Sequence, residues 1–274
     1  MTHFSKVSEF NKIFDFPIIS HTDSPLDLNN HLKQKIATLR YDLIYEEGIF
    51  ELKPAFDSHN RTEIADALGD LLYVCYGALY TYGFDADVLL RSYTMYTISP
   101  TENLIMLIQN LESNYVHNNR NNRTNSNDCQ NKLIEQISLL KEAFFTTNDI
   151  YMVKDILVRI IANTYNFALI MNVPIDKIFD LIHLSNMSKI SSSEDEAKLS
   201  VRTYEAKYIQ HTMLYDSYVK AYGKNSPQAE SVYSPYDSPY YIKKDEHIYL
   251  IKNQSTGKAL KSINYTQVNL QNYV

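Results

Sequence analysis

Two groups of carboxylates, Glu46, Glu47 and Glu51 and then Glu63, Asp66 and Asp70, have the types and spacing to do chemistry. In EIADALGDLLYV, Glu63, Asp66 and Asp70 recur at i, i+3 and i+7, so on a helix they line one face. Ile64, Leu68, Leu71, Leu72 and Cys75 then form the packed face. In the preceding segment, one helix from Leu32 to Leu52 puts Glu47 and Glu51 on a stripe with Ile36, Leu39, Leu43 and Phe50. Acids on an apolar stripe are costly unless a cation neutralises them. Carboxylates converging from two helices suit a hard divalent cation such as Mg²⁺, which takes oxygen ligands and completes its shell with water and phosphate. Mn²⁺ accepts the same donors. A solvated acidic face would explain Glu63, Asp66 and Asp70 equally well, but it explains Glu47 and Glu51 poorly.

The elements that must hold these acids read as helices. Six glycines, no tryptophan and long runs at helical period predict an all-α fold. Helices are expected over Ser5–Phe14, from a start signal at Ser24–Asp27 to Pro54, and from Asn60 or Thr62 to Tyr82. A restart follows at Asp85. Beyond a helix over Glu102–Val116, the stretch HNNRNNRTNSND has no apolar periodicity and reads as a disordered insertion. Helices follow over Lys132–Phe145, over Met152–Met171 and after Pro174. A polar linker at Ser191 leads to one more helix, and HIYLIKNQSTGKALKSINY predicts a β-hairpin turning at Thr256-Gly257.

The later helices echo the earlier ones. At one constant offset Phe56 falls on Phe145, Asp66 on Asp155 and Asp87 on Asp176, and the helix–loop–helix–turn–helix rhythm recurs. In the second copy Glu135 and Asp155 survive, but Gln136, Leu140, Met152 and Arg159 stand where Glu47, Glu51, Glu63 and Asp70 stood. A degenerate tandem repeat, a fused pseudo-dimer, is one reading; the shared rhythm of any two helical hairpins is the other. The chain then divides into 1–100 with the acids, 101–190 with the Asn-rich insertion and second copy, and 191–274 with a helical insertion and tail.

EIADALGDLLYVCYGALYTYGFDADVLL, preceded by LIYEEGIFELKPAF and VSEFNKIFDFP, resembles the metal helices of the MazG-like all-α NTP pyrophosphohydrolases, a family that includes the phosphoribosyl-ATP pyrophosphohydrolases. HLSNMSKI is similar to a segment closing the helical core in that family's phage and viral branch. GKALKSINY is similar to the tail of the same branch. The family pattern is E-E-x-x-E, whereas here the third acid comes one residue late, at Glu51. Glu47 and Glu51 remain neighbours at i, i+4, and which of Glu46, Glu47 and Glu51 are direct ligands is open.

The resemblance implies a MazG-like helical bundle that hydrolyses (d)NTPs to monophosphate and pyrophosphate with Mg²⁺, in nucleotide-pool house-cleaning. It implies Glu47, Glu51, Glu63, Asp66 and Asp70 as metal ligands, with Glu46, Glu47 or Glu51 as the catalytic acids. Asn186 and Lys189 are expected to contact the nucleotide, with Lys258, Lys261 and Tyr265 folding back over it. His183 reads more simply as a packing residue, and Tyr73, Tyr76, Tyr80 and Cys75 as core. A homodimer or the pseudo-dimer is the expected assembly. A catalytically inactive scaffold that binds a protein partner is the competing class, favoured by the late Glu51 and the decayed second copy. Net charge of −6 argues against binding a nucleic-acid polymer. Two distant cysteines indicate neither a disulfide framework nor a zinc site. No long apolar run suggests a membrane span, no signal-like segment opens the chain, and a cytoplasmic location is expected.

Overall fold

The computed structural model describes residues 1–27, 29–97, 126–224, 226 and 236–274. The expected helix at Glu102–Val116 lies outside the described residues, as does most of the Asn-rich stretch. Helices α1 (His3–Ile13), α2 (His31–Tyr45), α3 (Leu52–Asp57), α4 (Arg61–Thr81), α5 (Ala86–Thr97), α6 (Ser126–Phe145), α7 (Ile150–Ile170), α8 (Ile175–Met187) and α9 (Glu194–Tyr222) carry most of the chain. A two-stranded antiparallel hairpin, β1 (Pro239–Asp245) and β2 (Ile248–Asn253), follows. The all-α fold with a small C-terminal hairpin is as expected.

Several local expectations are corrected. The cap of α2 is Asn30, whose side chain accepts from Leu32 and Lys33 N–H, rather than a residue in Ser24–Asp27. Ser126, Asn127 and Asp128 are helical, so α6 starts inside the Asn-rich stretch. The hairpin turns at Glu246-His247; Thr256-Gly257 makes a second turn that lets Ala259 bridge back to Lys252. The run from Leu32 to Leu52 is not one regular helix, because Glu46–Glu51 winds as a π-helix. Its buried face is Ile36, Ala37, Arg40, Tyr41 and Ile44, and Phe50 is 67 % exposed. Apolar spacing alone had placed the core on the neighbouring stripe.

Contacts group the chain into two units: residues 1–183 with 268–274, and residues 184–267. In the first unit α4 packs against α1, α2, the π segment, α3 and α7, while α6 lies along α7 and α2. The two helical hairpins match closely. Helices α4 and α7 are each 21 residues long. Tyr76 and Tyr165, at equivalent places in them, are 89 positions apart and hydrogen-bonded to each other at 3.0 Å. Each helix starts from an amide or carboxylate cap, Asn60 or Asp149, that accepts first-turn N–H groups. Before the cap stands a left-handed residue, His59 at φ 56° or Asn148 at φ 50°, and after the helix another, Gly83 at φ 70° or Asn172 at φ 54°. The third helices are exchanged. α5 packs on α7, and α8 packs on α4 through Ile178, Phe179 and Ile182.

The second unit is built on the amino-terminal part of α9 and the hairpin. Ser193 caps α9, and Glu196 reaches back to Ser192 N–H at 2.6 Å, closing a capping box. Against the desolvation that would raise it, hydrogen bonds from Ser192 and Asn264 hold the Glu196 carboxylate below its usual range. Among the described residues no single helix is long and apolar enough to cross a membrane.

Candidate acidic metal site

The central helix α4 is buried on nearly every side. After its first turn only Asp66, Asp70 and Val74 escape burial, at i, i+4 and i+8. Asp66 and Asp70 therefore occupy the single open stripe of a core helix, and Glu63, exposed, extends it by one turn. The π segment packs against this helix: a Cβ built on Gly48 would lie 3.6 Å from Leu71 Cδ1. Glu46 and Glu47 are half-buried and Glu51 is exposed. Glu47 Oε2 and Asp66 Oδ1 are both shut off from solvent.

The electrostatics are those of crowded acids. Asp42, one turn before Glu46, has its carboxyl raised above the ordinary range, first by partial desolvation and then by the charge of Glu46. Among the described residues no three His, Cys, Asp or Glu side chains stand close enough together to count as a formed metal cage. The donor set is nonetheless oxygen-only and drawn from two packed elements. That fits Mg²⁺ or Mn²⁺, which take one or two carboxylates each and leave the remaining positions to water and phosphate.

The second hairpin lacks this chemistry. Gln136, whose Oε1 is buried, stands at the place of Glu47. Asp155 turns outward to Lys154 at 3.0 Å, and Met152 and Arg159 replace Glu63 and Asp70. Leu140 is not the counterpart of Glu51: it is fully buried like Leu52, and the exposed Leu139 takes that place.

Elsewhere in the first unit, His183 is buried, accepts or donates at 3.1 Å with the Tyr73 hydroxyl, and is depressed in pKa chiefly by burial. Tyr73, Tyr76, Tyr80 and Cys75 are core residues. Arg40 was missed by periodicity. It is 4 % exposed, donates from Nη2 to Asn11 Oδ1 at 2.8 Å, and lies 4.8 Å from the Phe16 ring centroid. Its Nε has no hydrogen-bond partner among the described residues, and burial pulls its pKa down to about 10. Gly77 makes room for it, since a Cβ there would come within 3.0 Å of Arg40 Nη1.

In the second unit, the helix end and the tail meet. Ser185 Oγ lies 2.9 Å from the Tyr265 hydroxyl and 2.9 Å from the Thr266 carbonyl, and Thr266 N–H donates to Ser188 Oγ at 2.9 Å. Lys189 hydrogen-bonds Asn186, and Lys261 Nζ stands 4.4 Å over the Tyr265 ring. Asn186, Lys189, Lys261 and Tyr265 thus belong to one local cluster, with Lys258 at the Thr256-Gly257 turn.

Residues 7–94 match the sequence model of the phosphoribosyl-ATP pyrophosphohydrolase family. The resemblance read from the acidic helices is borne out over that segment. It runs from within α1 through α2, the π segment, α3 and α4 into α5, and therefore takes in every one of the six acids. The uncharacterized protein L479 of Acanthamoeba polyphaga mimivirus is 29 % identical over 264 residues, covering 95 % of this chain and 91 % of the relative. No solved structure matches.

Proposed function

We propose that this protein is a divalent-cation-dependent nucleotide pyrophosphohydrolase, cleaving a nucleoside triphosphate between the α- and β-phosphates. The observation that carries the reading is the open acidic stripe on an otherwise buried α4, set against a second acidic segment. The family match over the same elements supports it. Glu47 and Asp66, each with an oxygen already shielded, would hold the cation, with Asp70, Glu63 and Glu51 completing the set. Bound Mg²⁺ supplies phosphate-charge neutralisation and a water of lowered pKa. Glu46 or Glu51 would take that water's proton. Separately from the cation site, Asn186, Lys189, Lys258, Lys261 and Tyr265 are proposed to contact nucleotide, a reading that a raised KM in Lys189→Ala would support.

The test is pyrophosphate release from a panel of NTPs, dNTPs and phosphoribosyl-ATP with Mg²⁺ or Mn²⁺, beside Glu63→Ala and Asp66→Asn. Activity abolished by Asp66→Asn is expected. Silence across the panel, together with no cation-dependent thermal shift, would leave the inactive scaffold as the better reading.

A further inference from the structure

The two hairpins keep one register up to the π segment and another just after it. Buried Arg40, Tyr41, Ile44 and Gly48 correspond to buried Cys129, Gln130, Leu133 and Ile137. Buried Leu52, Ala55 and Phe56 correspond to buried Leu140, Ala143 and Phe144. Three residues separate Gly48 from Leu52, but only Ser138 and Leu139 separate Ile137 from Leu140. The first copy thus carries one residue more, and it lies where the helix leaves α geometry: Leu52 N–H donates to Glu47 O, five residues back. The second copy runs through the same place as the unbroken α6.

We propose that Ile49 or Phe50 is a single-residue insertion into the acidic helix. The π turn absorbs it, so that Glu51 keeps the place, one turn beyond Glu46, that an acid at i+4 holds in a straight helix. The positioning role rests on the cation reading above; the insertion does not. In a regular α-helix an extra residue rotates everything downstream by ~100°, which would swing Leu52 and Phe56 out of the core, and it sets i and i+5 ~140° apart. Burying side chains of that size is worth roughly 1.5–3 kcal/mol each, enough to favour one wide turn over a misregistered α3. A π turn spends one more residue per turn, so both the buried face and the acid stay in step. Glu51, late in sequence, is then on time in space.

Phe50, 67 % exposed, is the residue to remove. Deleting it leaves Glu46-Glu47-Gly48-Ile49-Glu51, in which an ordinary α turn does what the π turn does now. Deletion of Ile49 is the second variant. The full chain, each deletion, and Glu51→Gln in all three backgrounds are followed by circular dichroism, urea denaturation and Mn²⁺-dependent thermal shift without nucleotide. The deletions are expected to fold with undiminished helix content and to keep the Mn²⁺ response, and Glu51→Gln is expected to weaken it by the same factor in every background. Failure of both deletions to fold overturns the insertion. A response to Glu51→Gln confined to the deletion backgrounds overturns the positioning role, since the acid would then be out of place in the natural chain. No Mn²⁺ response from the natural chain overturns the cation reading and the positioning role with it, while the folding of the deletions still decides the insertion.

Discussion

Arg40 and Asn11 offer a test of how this core tolerates a buried charge. Burial pulls the guanidinium pKa down to about 10, which at ~1.4 kcal/mol per pK unit corresponds to a net cost of ~3 kcal/mol. Because the folded value is the lower one, that cost is in force at every pH below about 10 and eases only as pH rises from there toward the unfolded value. Against it stand the Asn11 hydrogen bond at 2.8 Å and the Phe16 face at 4.8 Å. Replacing Arg40 by Met removes the cost but strands the Asn11 carbonyl, worth roughly 1–3 kcal/mol, so the single variant is expected near neutral. Asn11→Leu in the natural background strips the buried cation of its acceptor and is expected to cost about 3 kcal/mol or more. In the Arg40→Met background the same change loses the bond from Asn11 Nδ2 to Val7 O, about 1 kcal/mol, but also removes the stranded carbonyl, so it should be near neutral. Urea denaturation of the four proteins gives the coupling, expected at about 3 kcal/mol. Additivity within about 0.5 kcal/mol, or an Arg40→Met loss above about 2 kcal/mol, would refute the reasoning.

Other expectations follow from the same structure. Gly48→Val places a Cβ that would stand 2.2 Å from Ile137 Cδ1, and should cost about 1–3 kcal/mol, recovered in part by Ile137→Ala. The unfolding midpoint reads both; no recovery would mean that the close approach is not the cause. Asp42, raised by partial desolvation and by Glu46, should titrate at lower pH once Mg²⁺ is bound, as followed by NMR; an unchanged midpoint would place the cation elsewhere. Glu196, held low by its capping hydrogen bonds, stabilises its unit above the unfolded carboxylate pKa, and that contribution is lost as pH falls through the folded value. Glu196→Gln should flatten acid unfolding of that unit; an unaltered acid limb would count against the capping assignment.

The acids of α4 were legible because their period and the helix period agree, and the caps Asn60 and Asp149 were within reach of simple rules. The buried face of α2 was not. A period of 3.6 admits two neighbouring stripes, and only tertiary contact shows that Arg40 and Tyr41 face inward while Leu39 does not. The π turn was hidden for a related reason: sequence spacing is counted on an assumed helix, and a late Glu51 looks displaced until the helix itself is allowed to widen. The hairpin was anticipated but its turn was misplaced, because Thr256-Gly257 is a turn too, one strand further on.

Gly48 and Ile137 occupy corresponding places in the two hairpins and touch each other. Residues that meet their own counterparts across a symmetry axis must suit themselves: two glycines would leave a hole, and two isoleucines would collide. Socket on one side and plug on the other is a solution open only to unlike halves. Covalent linkage would thus have committed this chain, and separately expressed halves should select each other in hetero-pairs and refuse to pair with themselves.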